Sequence, residues 1–98
     1  MEITLSKESV AEEVYYSVHL YFSEPEKTGK GERVFDVNIQ GRKVLEDFDI
    51  VGECGERDKE LVKTFSGILA GKTLKIALDP KKGNTILSGI EIIQESAP

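Results

Sequence analysis

The sequence predicts an all-β protein, an antiparallel β-sandwich of two sheets, on three observations. Apolar and polar residues alternate with period two in several short segments. Glycine- and proline-containing stretches separate these segments at close intervals. No segment longer than a turn or two holds a helical pattern. The 98 residues suit a single domain spanning 1–98, and 39% hydrophobic against 32% charged residues is the balance of a folded globular chain.

VYYSVHLYF at 14–22 is the first long strand, with Val14, Tyr16, Val18, Leu20 and Phe22 on one face and Tyr15, Ser17, His19 and Tyr21 on the other. SEPEKTGKGE at 23–32 combines Pro25, Gly29 and Gly31 with charges and reads as a loop. In RVFDVNI, Phe35, Val37 and Ile39 share a face opposite Val34, Asp36 and Asn38; Gln40 and Gly41 turn the chain into RKVLEDFDI, completing a hairpin. Phe35, Val37, Ile39, Leu45, Phe48 and Ile50 are expected in the core, and the aspartates are expected to tie down turns.

After the loop GECGERDKE, LVKTFSGILAGKTLKIALDP reads as strand, turn, strand. Thr64, Ser66, Gly67 and Gly71 disfavour a helix, and LKIAL alternates cleanly. Pro80, Gly83 and Asn84 mark a further loop, and ILSGIEII at 86–93 is the last strand, giving six or seven in all.

Composition excludes several functions. The net charge is -5 and the lysines and arginines are scattered, so nucleic acid is not an expected partner. A single cysteine, Cys54, precludes an internal disulfide, and its acidic neighbour Glu53 disfavours a thiolate, so it reads as a passive loop residue. No apolar run approaches a membrane span, and MEITLSKESVAEE lacks the basic and apolar regions of an export signal; a module of a larger exported protein is equally compatible. One histidine and no cysteine pair argue against zinc. A calcium site built from Glu46, Asp47 and Asp49 with loop carbonyls is a minor alternative, since these residues lack the Asp-x-Asp-x-Asp spacing of a calcium loop. No nucleophile elbow, phosphate-cradling loop or Cys/His couple is present, so neither catalysis nor a cofactor is expected.

The string LYFSEPEKTGKGERVFDVNIQGRKVLEDFDIVGECG, followed by LVKTF and ILSGIEII, resembles the malectin and malectin-like domains over residues 14–93. Leu20, Phe22, Ser23 and Glu24 match a Leu-x-Phe-Ala-Glu-like motif. Val34 to Val37, Gly41 and Asp47 to Ile50 match the strand, turn and Asp-x-Asp-Ile segment that follow. The resemblance implies a jelly-roll sandwich of the galactose-binding type and a non-catalytic carbohydrate-binding module, accessory to a larger bacterial protein. The family's sugar site uses adjacent loop aromatics, where this chain has Pro25, Glu26 and Lys27, and an aspartate before the last strand, where it has Lys81, Lys82, Gly83 and Asn84. The scaffold carries over; that site does not.

A sugar ring needs an aromatic face for its C–H surface and polar groups for its hydroxyls. The polar face of the first long strand offers Tyr15, His19 and Tyr21, with Asn38 and Asp36 expected on a neighbouring strand. A weaker candidate is a loop cluster of Glu24, Glu26, Arg33 and Asn84. The partner implied is a glucan-type oligosaccharide or glycan, or other domains of a parent protein. The competing reading is a structural or protein-interaction sandwich that has lost its sugar site, with the tyrosines merely covering a sheet.

Overall fold

A computed structural model describes residues 1–5, 13–24, 29, 31–55 and 59–95, the Cys54 side chain excepted. Seven strands and one short helix follow in order: β1 Glu2–Thr4, β2 Val14–Phe22, β3 Val34–Ile39, β4 Arg42–Phe48, α1 Ile50–Cys54, β5 Leu61–Ala70, β6 Thr73–Lys82 and β7 Gly89–Gln94. They form a four-stranded sheet ordered β1-β6-β3-β4 and a three-stranded sheet ordered β5-β2-β7, antiparallel throughout.

Alternation sets the two faces of each sheet. Val18, Leu20 and Phe22 of β2 face Phe35, Val37 and Ile39 of β3 and Leu74 and Ile76 of β6, all buried to within 1%. Phe48 and Ile50 are buried beside them, while Leu45 is partly buried against the cluster. Phe22, Phe35 and Phe48 pack as a triad with ring centroids 4.7 to 6.0 Å apart, Phe35 and Phe48 edge to face at 89°. Such offset aromatic contacts contribute beyond the area they bury.

The expected hairpin is present. Gln40 (φ 54°) and Gly41 (φ 76°) both occupy the left-handed region, as a two-residue turn matched to strand twist demands. Glutamine rarely accepts that conformation, and here three hydrogen bonds hold it. Its N–H donates to Lys75 O at 2.8 Å, its Oε1 accepts from Lys75 N at 2.7 Å, and its Nε2 donates to Leu69 O of the other sheet at 3.2 Å. The turn is thus bonded to both layers.

The acidic segment ends the hairpin. Asp47 also takes a positive φ (51°) and bends the strand. Asp49 then caps α1, accepting from Gly52 N at 3.1 Å and from Gly31 N at 2.6 Å, so one carboxylate binds the helix start and the preceding loop. Asp47 and Asp49 therefore do not share a strand face.

Several boundaries differ from expectation: β4 stops at Phe48 and α1 occupies Ile50–Cys54, across the join of the expected strand RKVLEDFDI and loop GECGERDKE, and three further differences concern strands. β1 arises where no strand is expected, pairing Glu2, Ile3 and Thr4 with Lys75, Leu74 and Thr73; three residues are too few to show a period. β6 runs through Pro80, expected in a loop, because β1 covers β6 only at 73–75 and leaves Pro80 on an open edge that asks for no amide donor. β7 begins at Gly89 rather than residue 86: Ile86 and Leu87 pack against the core as irregular chain.

Candidate functional site

The outer face of the three-stranded sheet carries the three predicted β2 residues. Tyr15, His19 and Tyr21 lie in line on the central strand, on the face away from the core. Their neighbours come from β5 and β7. Tyr15 stands opposite Leu69, His19 opposite Thr64 and Glu91, and Tyr21 opposite Val62 and Gly89, with Ile93 opposite Ser17. Tyr15 is 55% exposed, Leu69 43%, Val62 42% and Ile93 48%; with Met1 these are the large apolar side chains most open to solvent among the described residues.

Polar groups occupy the middle of this face. His19 Nδ1 and Thr64 Oγ1 share a hydrogen bond of 2.9 Å, and Glu91 is exposed beside them. Ser17 Oγ donates to Glu95 Oε1 at 3.2 Å, and Glu95 also accepts from Gly67 N at 3.0 Å, where β5 is bulged opposite Ser17. Tyr21 lies over Gly89, where an added Cβ would stand 3.7 Å from the ring, ordinary van der Waals contact. Apolar ends around a polar centre are suited to a sugar ring, which presents C–H patches and hydroxyls together.

Asn38 is not part of this arrangement. It belongs to β3, which pairs with β4 and β6 and not with β2, so it lies on the outer face of the opposite sheet, and Asp36 with it. The expectation of a neighbouring strand is corrected here: consecutive strands β2 and β3 fall in different layers. Asn38 Nδ2 donates to Asp79 Oδ2 at 2.7 Å and lines a shallow concavity of about 430 Å³ with Glu2, Gly41, Lys75 and Ala77.

Asp36 accepts from Asp47 N at 2.9 Å, and Lys43 and Lys81 approach within 3.3 and 3.5 Å. The backbone donor, then the two lysines, hold its carboxyl below the usual range against an opposing effect of desolvation. Lys81 also donates to Asp47 at 2.6 Å, the main reason its ammonium titrates above the ordinary lysine range. These carboxylates are engaged by cations and backbone donors, the chemistry of a fixed bend.

Of the loop candidates, Glu24 and Arg33 meet, and Glu26 lies outside the described residues. Arg33 forks onto Glu24 through Nε and through Nη2 at 3.2 Å, and its Nη1 donates to the backbone oxygen of Asn84 at 2.7 Å. Both side chains are buried, 10% and 1% exposed. This is a clamp between the β2–β3 and β6–β7 connections, closed to a ligand. Leu69, Ile93 and Glu91 escaped sequence reading, because only the tertiary register reveals which strands flank β2; the alternation in GIEII was the available sign.

An antiparallel sandwich with one outer face of aromatic and apolar residues around a polar centre and another that is charged has the build of a β-sandwich binding module. The chain belongs to the malectin domain family, whose model matches residues 4–97. It is similar to Receptor-like protein 4 of Arabidopsis thaliana, 40% identical over 82 residues that cover 81% of this chain and 13% of that protein. It is also similar to a probable LRR receptor-like serine/threonine-protein kinase of the same plant, 30% identical over 85% of this chain and 10% of the relative. The chain thus spans about a tenth of the curated relatives it matches. Among solved structures it resembles part of a beta-glucuronidase of Bacteroides uniformis, with a TM-score of 0.76 and 22% identity over 86% of this chain and 10% of the enzyme. A likeness at that identity is one of fold.

Proposed function

We propose that this chain is a non-catalytic carbohydrate-binding malectin module, one domain of a larger receptor-like protein, and that its sugar surface is the outer face of the three-stranded sheet. The observation that carries this reading is the line of Tyr15, His19 and Tyr21 on β2, with Tyr15 more than half exposed. The tyrosines supply stacking surface, while Glu91 and the one ring nitrogen of His19 that Thr64 does not engage supply hydrogen bonds to hydroxyls. The plant relatives support a receptor-like parent; the likeness to the Bacteroides enzymes is one of fold and lends no support to the bacterial setting expected from the sequence. The glucuronidase likeness brings no catalytic role with it.

Calorimetry with gluco-oligosaccharides tests this reading. Tyr15→Ala and Tyr21→Ala should each weaken binding on the order of tenfold, the scale of an interface anchor. The Tyr15 variant should melt as the parent does. Equal loss of folding and binding would mark structural tyrosines. A second reading, a protein-contact sandwich without sugar binding, draws on the exposed Leu69, Ile93 and Val62; saturation of a glycan array by no saccharide would favour it.

A further inference from the structure

We infer that the β5-β2-β7 face takes an uncharged, extended polysaccharide lying along β2, in place of the end of a short oligosaccharide; this rests on the reading of that face as the sugar surface. The first argument is shape. Tyr15, His19 and Tyr21 stand along one face of β2, with Leu69, Thr64 and Val62 of β5 on one side and Ile93, Glu91 and Gly89 of β7 on the other, a single layer of side chains on three adjacent strands. Such a layer touches a ring from one side, so affinity comes from contact repeated along a chain. From Tyr15 to Tyr21 the strand advances six residues, roughly 20 Å at about 3.3 Å per residue, and three strands give a width of about 10 Å. That is a strip longer than a disaccharide and about one sugar wide.

The second argument is charge. The opposite outer face carries Glu2, Asp36, Lys43, Lys75, Asp79 and Lys81. On the β5-β2-β7 face the strand residues include no lysine or arginine among those described, and Glu91 is the exposed charge. A carboxylate without a cation repels an anionic polymer, so the complement is a neutral one.

The third argument is the use of polar groups. His19 is engaged with Thr64, and Ser17 with Glu95. Few polar groups remain to converge on one sugar and select it. Leu69, opposite Tyr15, and Ile93, opposite Ser17, instead extend the apolar strip across all three strands. A β-1,4-linked glucan has the matching chemistry, a flat ribbon whose ring C–H faces are exposed on both sides.

Depletion binding to regenerated amorphous cellulose, set beside calorimetry with cellobiose and cellotetraose, tests this. The chain should be retained by the polymer, should bind cellotetraose more tightly than cellobiose, and should ignore polygalacturonate. Leu69→Ser with Ile93→Ser should cut retention about tenfold, with an unchanged melting curve to show that the fold survives. Cellobiose binding as tight as the polymer's, or retention untouched by the double variant, would overturn the inference while leaving carbohydrate binding in place. Absence of binding to every saccharide removes both readings. If the variant alters only the sedimentation of the protein, the face is a protein contact and the inference is likewise overturned.

Discussion

Replacing Arg33 with leucine probes the clamp at one end of the sandwich. The side chain sends Nε and Nη2 to Glu24 and Nη1 to Asn84 O, with Glu24 only 1% exposed. Leucine keeps much of the volume and removes a forked cationic partner of a buried carboxylate. Breaking a buried pair by deleting one partner costs about 3–5 kcal/mol. Against a total stability of roughly 5–15 kcal/mol, that is a large fraction. At about 4–8 °C per kcal/mol for a domain of this size, even the lower figure lowers the melting temperature by roughly 12–24 °C. Urea unfolding followed by far-ultraviolet circular dichroism at pH 7 measures it. Arg33→Lys should fall between, since an ammonium keeps the charge but not the planar fork. Converting both residues to leucine should recover most of the loss, because a buried pair replaced by apolar groups is often near neutral. A cost below about 1 kcal/mol for Arg33→Leu, the range of exposed ion pairs, would refute the view that this pair is compensated burial.

Three further outcomes are expected. Asp36 has a lowered pKa in the folded state, so its contribution is present above the unfolded value of about 3.9 and is lost as pH falls through the lower folded one; the melting temperature of Asp36→Asn should therefore decline less steeply than the parent's below pH 4. Asp49→Ala removes the α1 cap and the bond from Gly31, and should cost about 1–2 kcal/mol in denaturant titration with little change in ligand affinity. Gly67 sits at φ 67° with open space where a side chain would go, so Gly67→Ala should cost about 1 kcal/mol through backbone strain alone, and Ser66→Ala next to none.

The strands that show period two for six residues or more were legible, because alternation reports which face is buried: β2, β3 and β6 needed only that. The turn at Gln40 and Gly41 was readable from spacing, whereas the hydrogen bonds that let glutamine stand there come from β5 and β6 and have no local sign. That the aspartates tie down turns was readable, whereas the role of Asp49 as a cap was not, because a helix of five residues leaves no periodicity to read. The role of Asp36 needed Lys81, 45 positions away, brought close by the β3–β6 pairing. The candidate surface was half visible: β2 displayed its own tyrosines, but Asn38 was assigned to the wrong layer because sequence adjacency of strands does not imply sheet adjacency, and Leu69, Glu91 and Ile93 depend on register.

The order β5-β2-β7 also governs how the domain is made. Of the strand pairs among the described residues, only β3 with β4 joins neighbours in sequence; β2 must wait for β5 and then for β7. Closing contacts over such separations is slow, since loop entropy is spent before pairing returns any stability. During synthesis, β2 therefore emerges with its apolar side chains and one backbone edge unsatisfied until Gly89–Gln94 has left the ribosome. Cutting the chain just before residue 89 removes the whole of β7 and leaves the central strand of one sheet open along an edge, which makes Gly89–Gln94 a condition for folding.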